Sequence, residues 1–342
     1  MSRSRKLRVL ALMHPTLIPP EPGETLDERS AAELKTERDV VTTLRASGHE
    51  VRTLGVLDEL LPIRRAVEEW NPHVVFNLLE ELRGLREFDQ HVVSYLEVLG
   101  VPYTGCGPRG LMLARDKALS KQIASFHRIK APRFFVVRRG RRTRRPASLG
   151  FPLFVKSLTE EASVGISQAS IVDSDARLAE RVAFIHETVG SDAIVEQYIA
   201  GREIYVGVLG FERPLVFPPW ELLFENLAPG AAAIATARVK HDPSYQEKRG
   251  IFQGEADLSA EVVEKLVRTT RRLFRVLSLE GYARVDYRLA PDGTPFLLEA
   301  NPNPDIAASE EFASAAEARG LDYPALLERM LRQGRSASRS RR

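Results

Sequence analysis

Apolar and polar positions along the chain alternate in ways that predict short strands and amphipathic helices. Residues 7–13 form a short apolar run of the kind a buried strand makes. A helical pattern follows over about 29–46, is closed by Gly48, and leads into a strand at 50–54. A strand at 73–76, a helix over about 87–99 and the Gly/Pro-rich stretch 100–108 continue the alternation, which predicts a parallel sheet. After a helix at about 116–126, a second unit carries strands near 133–137, 152–156, 167–171 and 193–197, with a helix at 175–188. A third unit has strands at 203–209 and 234–239, a helix over about 260–277, a hairpin at 282–300, and helices near 309–318 and 323–332.

Length and composition agree with that division. A chain of 342 residues with 44% hydrophobic and 28% charged positions is an ordinary globular mixture large enough for two or three domains. No apolar run reaches the roughly 18 residues that cross a bilayer, and the stretch from Val9 to Met13 stops at His14-Pro15, too short for a secretory signal. A cytoplasmic protein with no membrane association is predicted. The lone Cys106 excludes an intramolecular disulfide and a multi-cysteine metal site, and the seven histidines are too scattered for a zinc centre.

The net charge of +3 hides an uneven distribution. Residues 1–8, 138–145 and 332–342 hold 4, 6 and 5 basic residues and no acid, which leaves an acidic body with basic appendages. Solvated tails and a surface loop explain these segments, and nucleic-acid binding is not expected. The terminal residues 1–5 and 334–342, lacking apolar periodicity, are predicted to be disordered.

The hairpin carries the sharpest chemical signal. Asp292-Gly293 between two strand patterns predicts a two-residue type I′ turn in which 291 faces 294. Carrying that register outward sets Asp286 opposite Glu299 and Arg284 opposite Asn301, all on one face of the sheet. Two carboxylates with Cβ atoms about 5 Å apart repel. Either the face is simply exposed, or a cation lies between them. Oxygen donors from Asp, Glu and Asn suit a hard ion such as Mg²⁺ held together with substrate phosphates. Lys156, at the end of an apolar strand, precedes the small-residue stretch Thr159 to Ser167, which can offer backbone N–H groups and a positive charge to phosphate oxygens.

These segments, in this order, resemble the ATP-grasp superfamily and most closely its D-alanine–D-alanine ligase-like branch. The resemblance rests on Val101-Pro102-Tyr103-Thr104-Gly105, Arg115-Asp116-Lys117, Phe154-Val155-Lys156, the stretch from Glu196 to Glu203, Gly281-Tyr282-Ala283-Arg284-Val285-Asp286 and Glu299-Ala300-Asn301-Pro302. It implies an ATP-grasp fold of mixed α/β and α+β class: an N-terminal parallel-sheet α/β domain (1–110), then a lid subdomain (111–199) and a metal-site subdomain (200–333) enclosing ATP, then the tail 334–342. It makes Asp286, Glu299 and Asn301 ligands of Mg²⁺, with Mn²⁺ as an alternative, and Lys117 and Lys156 phosphate-binding lysines. Ser163, Val164 and Gly165 match the phosphate loop, Glu196, Gln197 and Ile199 the adenine edge, and Glu203 the ribose-binding acid. Arg284 and Lys240 are the implied catalytic residues: Arg284 stabilises the tetrahedral intermediate, and Lys240 reaches the γ-phosphate from a mobile loop.

The implied activity is ADP-forming ligation of a carboxylate to an amine, with amino acids or peptides as substrates, and a homodimer is compatible with it. The alternatives are a ligase for a different dipeptide or natural-product peptide, or a nucleotide-binding scaffold without catalysis. The sequence departs from the branch around the substrates. Asn77 to Gly84 replaces a His-Gly-containing segment, His241 stands where a tyrosine follows the loop lysine, and Asp305 stands where a glycine follows the second proline. Glu28 and Glu37 are the candidates for the acid that receives the first substrate's amine.

Overall fold

The computed structural model describes residues 6–21, 27–160, 163–227 and 230–340. Its N-terminal part contains β1 (Arg8–Met13), α1 (Glu28–Glu33), α2 (Lys35–Ala46), β2 (Glu50–Gly55), α3 (Leu61–Trp70), β3 (Val74–Asn77), α4 (Asp89–Val98), α5 (Pro108–Arg115) and α6 (Lys117–Phe126). The three strands pair in parallel in the order β2-β1-β3. β1 is buried from Val9 onward, as a strand covered by helices on both faces must be. The single helix expected over 29–46 is interrupted at Leu34, and α3 and α5 form where no element was expected.

The central part is β4 (Phe134–Val137), β5 (Leu153–Ser157), β6 (Ile171–Val172), α7 (Asp175–Phe184) and β7 (Ala193–Gln197), with the antiparallel order β4-β7-β5-β6. The strand expected at 167–171 is mostly a 3-10 turn, Gln168–Ser170, held by reciprocal Ser167 and Ser170 bonds. The remainder is β8 (Arg202–Gly210), β9 (Leu215–Val216), β10 (Trp220–Phe224), α8 (Ala237–His241), α9 (Pro243–Arg249), β11 (Ile251–Glu255), α10 (Ala260–Val276), β12 (Gly281–Leu289), β13 (Pro295–Asn301), α11 (Glu311–Ala318) and α12 (Tyr323–Ser340). Its sheet runs β11-β10-β8-β12-β13, with β9 added on β8. Because the three sheets fall on separate stretches of chain, we propose domain divisions after residues 110 and 199.

Two expectations fail here for local reasons. Residues 234–239 do not form a strand: Thr236 accepts a bond from the Val239 N–H at 3.3 Å and caps α8, so the apolar residues Ile234, Ala235 and Val239 are buried from a coil and a helix turn. The tail expected to be disordered from 334 is helical through Ser340. At Gly334, α12 lies so close to the backbone of Tyr103 that a Cβ would stand 2.3 Å from its carbonyl oxygen. Residues 341–342, like 1–5, lie outside the described residues.

The N-terminal part is pinned to the segment that follows β13. Thr36 donates to Asp305 at 2.7 Å, Lys35 to Glu310 at 2.6 Å, and the Ala308 N–H to Asp39 at 3.0 Å. Glu37 is buried in this contact, and burial, with Asp305 adding repulsion, pushes its carboxyl up to about 7 against an opposing backbone hydrogen bond. An acid whose folded pKa is raised stabilises the fold below its ordinary value of 4.5, and that stabilisation is lost as pH rises through about 7. Glu37→Gln is therefore expected to match the parent near pH 4 and exceed it at pH 8 by up to about 3 kcal/mol. Denaturant unfolding at the two pH values measures this, and an equal difference at both refutes it.

Candidate functional site

The hairpin β12–β13 places the acidic pair by two register shifts rather than one simple turn. The connection is a three-residue loop, Pro291-Asp292-Gly293, closed by the Ala290 N–H to the Thr294 carbonyl at 2.9 Å, in which only Gly293 takes a left-handed φ (73°). A type I′ turn needs two such residues, whereas proline fits the first central position of a type I turn. Leu289 consequently faces Pro295, one residue short of the expected register. A β-bulge opposite Asp286 and Tyr287 leaves Leu298 without a cross-strand partner and restores the offset, so Asp286 does face Glu299 and Arg284 does face Asn301.

Arg284 is held by both of its acidic neighbours. Its Nε and Nη2 donate to the two Asp286 oxygens at 2.7 and 2.9 Å, Nη1 donates to Glu311 at the start of α11, and the Tyr205 ring lies 4.9 Å beneath the guanidinium. Burial pushes the Asp286 carboxyl up in spite of Arg284. Glu299 goes the other way: burial acts against its charge, but Lys117, Lys156, Lys240 and Arg284 together hold its carboxyl well below the usual range. Two facing carboxylates are thus kept apart in character by the cations around each.

The opposite wall comes from α6, β5 and β7. Glu196 receives the Lys121 ammonium on Oε1 at 3.0 Å and that of Lys156 on Oε2 at 3.4 Å, and all three side chains are buried. Burial would raise the Glu196 carboxyl, but the two lysines bring it below its ordinary value. Burial pulls Lys121 down to about 8 despite Glu196. Lys117, the first residue of α6, donates to the Glu160 carbonyl at 2.7 Å and stands 3.6 Å from Glu299, joining the loop after β5 to the acidic pair.

Between the walls lies a cleft lined by Lys156, Ser163, Glu196, Gln197, Ile199, Glu203, Lys240, Asp286 and Glu299. Apolar Phe154, Ile234 and Leu298 line it as well. Glu203 accepts from Tyr205 at 3.0 Å and pairs with Arg288 at 3.1 Å. Val164 is exposed, and Gly165 has φ 71° with its carbonyl held by Arg181, so Ser163 is the member of the expected loop trio that lines the cavity. Asn301 does not line it, and its Oδ1 accepts from the Asn303 N–H at 2.9 Å. Glu37 is away from it too, and the side chain of Glu28 lies outside the described residues.

Three site residues escaped the sequence reading: Lys121, Arg288 and Glu311. Lys121 follows Lys117 by four positions on the same helix face, and Arg288 follows Asp286 by two on the same strand face, so periodicity could have found both. Glu311 reaches Arg284 through the tertiary fold and has no local signal.

Residues 122–332 match the family model described as D-ala D-ala ligase C-terminus. The D-alanine–D-alanine ligase of Nitratidesulfovibrio vulgaris is 34% identical over 302 residues, 88% of this chain and 92% of the relative. That of Anaeromyxobacter sp. is 32% identical over 314 residues, covering 90% and 94%. The chain belongs to the D-alanine–D-alanine ligase family. It shares the ATP-grasp fold with the crystal structure of D-alanine–D-alanine ligase from Bacillus anthracis complexed with ATP, at a TM-score of 0.73 and 20% identity, with 98% of this chain and 99% of that one covered. As a member of this ligase family it is an ATP-dependent carboxylate–amine ligase.

In this family member the Arg284 contacts make a stability statement. Removing the guanidinium strands two buried carboxylates, a loss that typically costs about 3–5 kcal/mol. Arg284→Ala is expected to lower the unfolding free energy by that amount in chemical denaturation, whereas an unchanged midpoint would show that Asp286 and Glu311 are not neutralised by Arg284.

Proposed function

We propose that this ligase joins the carboxylate of one amino acid to the amine of another in the cavity between the central and C-terminal sheets, with Mg²⁺ bound beside the nucleotide. The observation that carries the assignment is the opposition of Asp286 and Glu299 on a wall facing Lys117, Lys156 and Lys240. Among the described residues no group of three or more His, Cys, Asp or Glu is placed to hold a metal ion by itself. Two carboxylates with an amide oxygen nearby are what a small hard cation needs when phosphate oxygens and water complete its shell. Asp286, Glu299 and Asn301 would hold Mg²⁺ or Mn²⁺.

When bound, ATP supplies a γ-phosphoryl that converts a poorly electrophilic carboxylate into an acyl phosphate. Lys117 and Lys156, with the loop at Ser163 to Gly165, bind the phosphates, while Glu196, Gln197 and Ile199 take the adenine edge and Glu203 the ribose. Lys240 adds charge from α8, whose preceding coil is tied to the central part by paired bonds between Gln168 and the Ala232 backbone, both 2.9 Å. That closure keeps water from a hydrolysable intermediate. Arg284 presents a guanidinium next to the metal pair, placed to stabilise the oxyanion formed when the amine attacks.

D-Alanine, named in the relatives, is the first substrate to test at both positions. His241 and Asp305, where the family has tyrosine and glycine, make other amino acids the natural comparison. No helix among the described residues is long and apolar enough to cross a membrane, which supports the proposed cytoplasmic location. ADP release should require Mg²⁺ and an amino-acid pair, measured across D- and L-amino acids. Release independent of any amino acid would defeat the ligase reading of the cavity. Asp286→Asn and Glu299→Gln should each abolish substrate-dependent ADP release while leaving the circular dichroism spectrum unchanged; undiminished Mg²⁺-dependent turnover in both would remove the metal assignment.

A further inference from the structure

Lys121 is fully buried, with 0% of its surface exposed, a rare state for lysine without a demanding set of partners. Neutralising Glu196 does not require it, because Lys156 already lies 3.4 Å from the other oxygen of that carboxylate and would leave a one-to-one pair. A second ammonium buried on one carboxylate is a desolvation cost that must be offset elsewhere.

The partner that Lys121 alone supplies with charge is the main-chain carbonyl of Leu298. Leu298 is the bulged residue of β13. Without the bulge, the register set by the Pro291-Asp292-Gly293 loop would put Leu298 opposite Asp286 and turn Glu299 to the other face of the sheet, since one residue of slip inverts every side chain. The carbonyl that the bulge takes out of the ladder needs a donor, and the Lys121 ammonium provides it. One turn earlier on the same helix, Lys117 stands 3.6 Å from Glu299 itself. Helix α6 thereby grips β13 at two successive residues and Glu196 of β7 at a third point.

We infer that Lys121 is a positioning residue that fixes the Leu298 bulge, and with it the facing of Glu299 and Asp286, while tying that pair to the Glu196 edge of the cleft. The inference rests on the reading of this cleft as a metal–nucleotide site. Its consequence is that metal and nucleotide depend on a side chain that lines neither contact surface.

The test uses the full chain with Mn²⁺ and a non-hydrolysable ATP analogue, reading free Mn²⁺ by electron paramagnetic resonance and analogue binding by calorimetry, so no turnover is needed. Lys121→Met should weaken Mn²⁺ binding in the presence of the analogue by about tenfold, an effect of roughly 1.4 kcal/mol. Lys121→Gln, which keeps a donor for the Leu298 carbonyl without the charge, should fall between Met and the parent. If both variants bind Mn²⁺ and analogue like the parent and differ only in melting temperature, Lys121 is merely structural and the inference is wrong. Should Lys121→Met not fold, the Lys121→Gln measurement alone decides, with parental affinity overturning the inference. A parent chain that binds no Mn²⁺ with the analogue overturns the reading of the cleft itself, and this inference with it.

Discussion

Asp286, buried, and Glu299, half-buried, face each other across adjacent antiparallel strands and repel, and the rest of the site is arranged around that repulsion. Asp286 is neutralised by a two-pronged Arg284, which is shared with Glu311, and Glu299 by the lysines that approach from α6, β5 and α8. Each acid therefore has its own counter-charges. These counter-charges are why the pair can be kept close without an ion, and the proposed divalent ion would join a network already balanced.

The same economy appears on the opposite wall. Glu196 is the centre of a Lys121–Glu196–Lys156 triad there, and on the β8–β12 side of the cleft Glu203 is shared between Tyr205 and Arg288. Arg288 also donates to the carbonyls of Gly201 and Ala233, so the hinge after β7 and the coil ahead of α8 are bound to one strand residue. The charged side chains of the cleft thus act as structural braces. Their loss would be felt in stability.

Contacts between distant parts of the chain fasten the N-terminal part to the C-terminal part. The 305–310 segment is fastened to α2 by Thr36, Lys35 and Asp39, and α12 reaches back to the Tyr103 backbone at Gly334. Asp305 is built into this seam, receiving Thr36 and capping the turn at Ala307.

The sequence by itself determined what depends on local order. Periodicity located β1, β12, β13, α6 and α10, and the ordered motifs from Pro102 to Pro302 identified the family and brought Lys156, Glu196, Glu203, Asp286 and Glu299 to one cavity. The facing of Asp286 and Glu299 was reached from the wrong turn, because the three-residue loop and the Leu298 bulge each shift the register by one and cancel. Only the tertiary structure decided that bulge, the burial of Lys121 against it, the pairing of Glu311 with Arg284, and the helical course of residues 334–340. Those features arise where elements far apart in sequence meet. A donor for a displaced carbonyl or a surface for a basic, weakly patterned helix exists only once the partner element is in place.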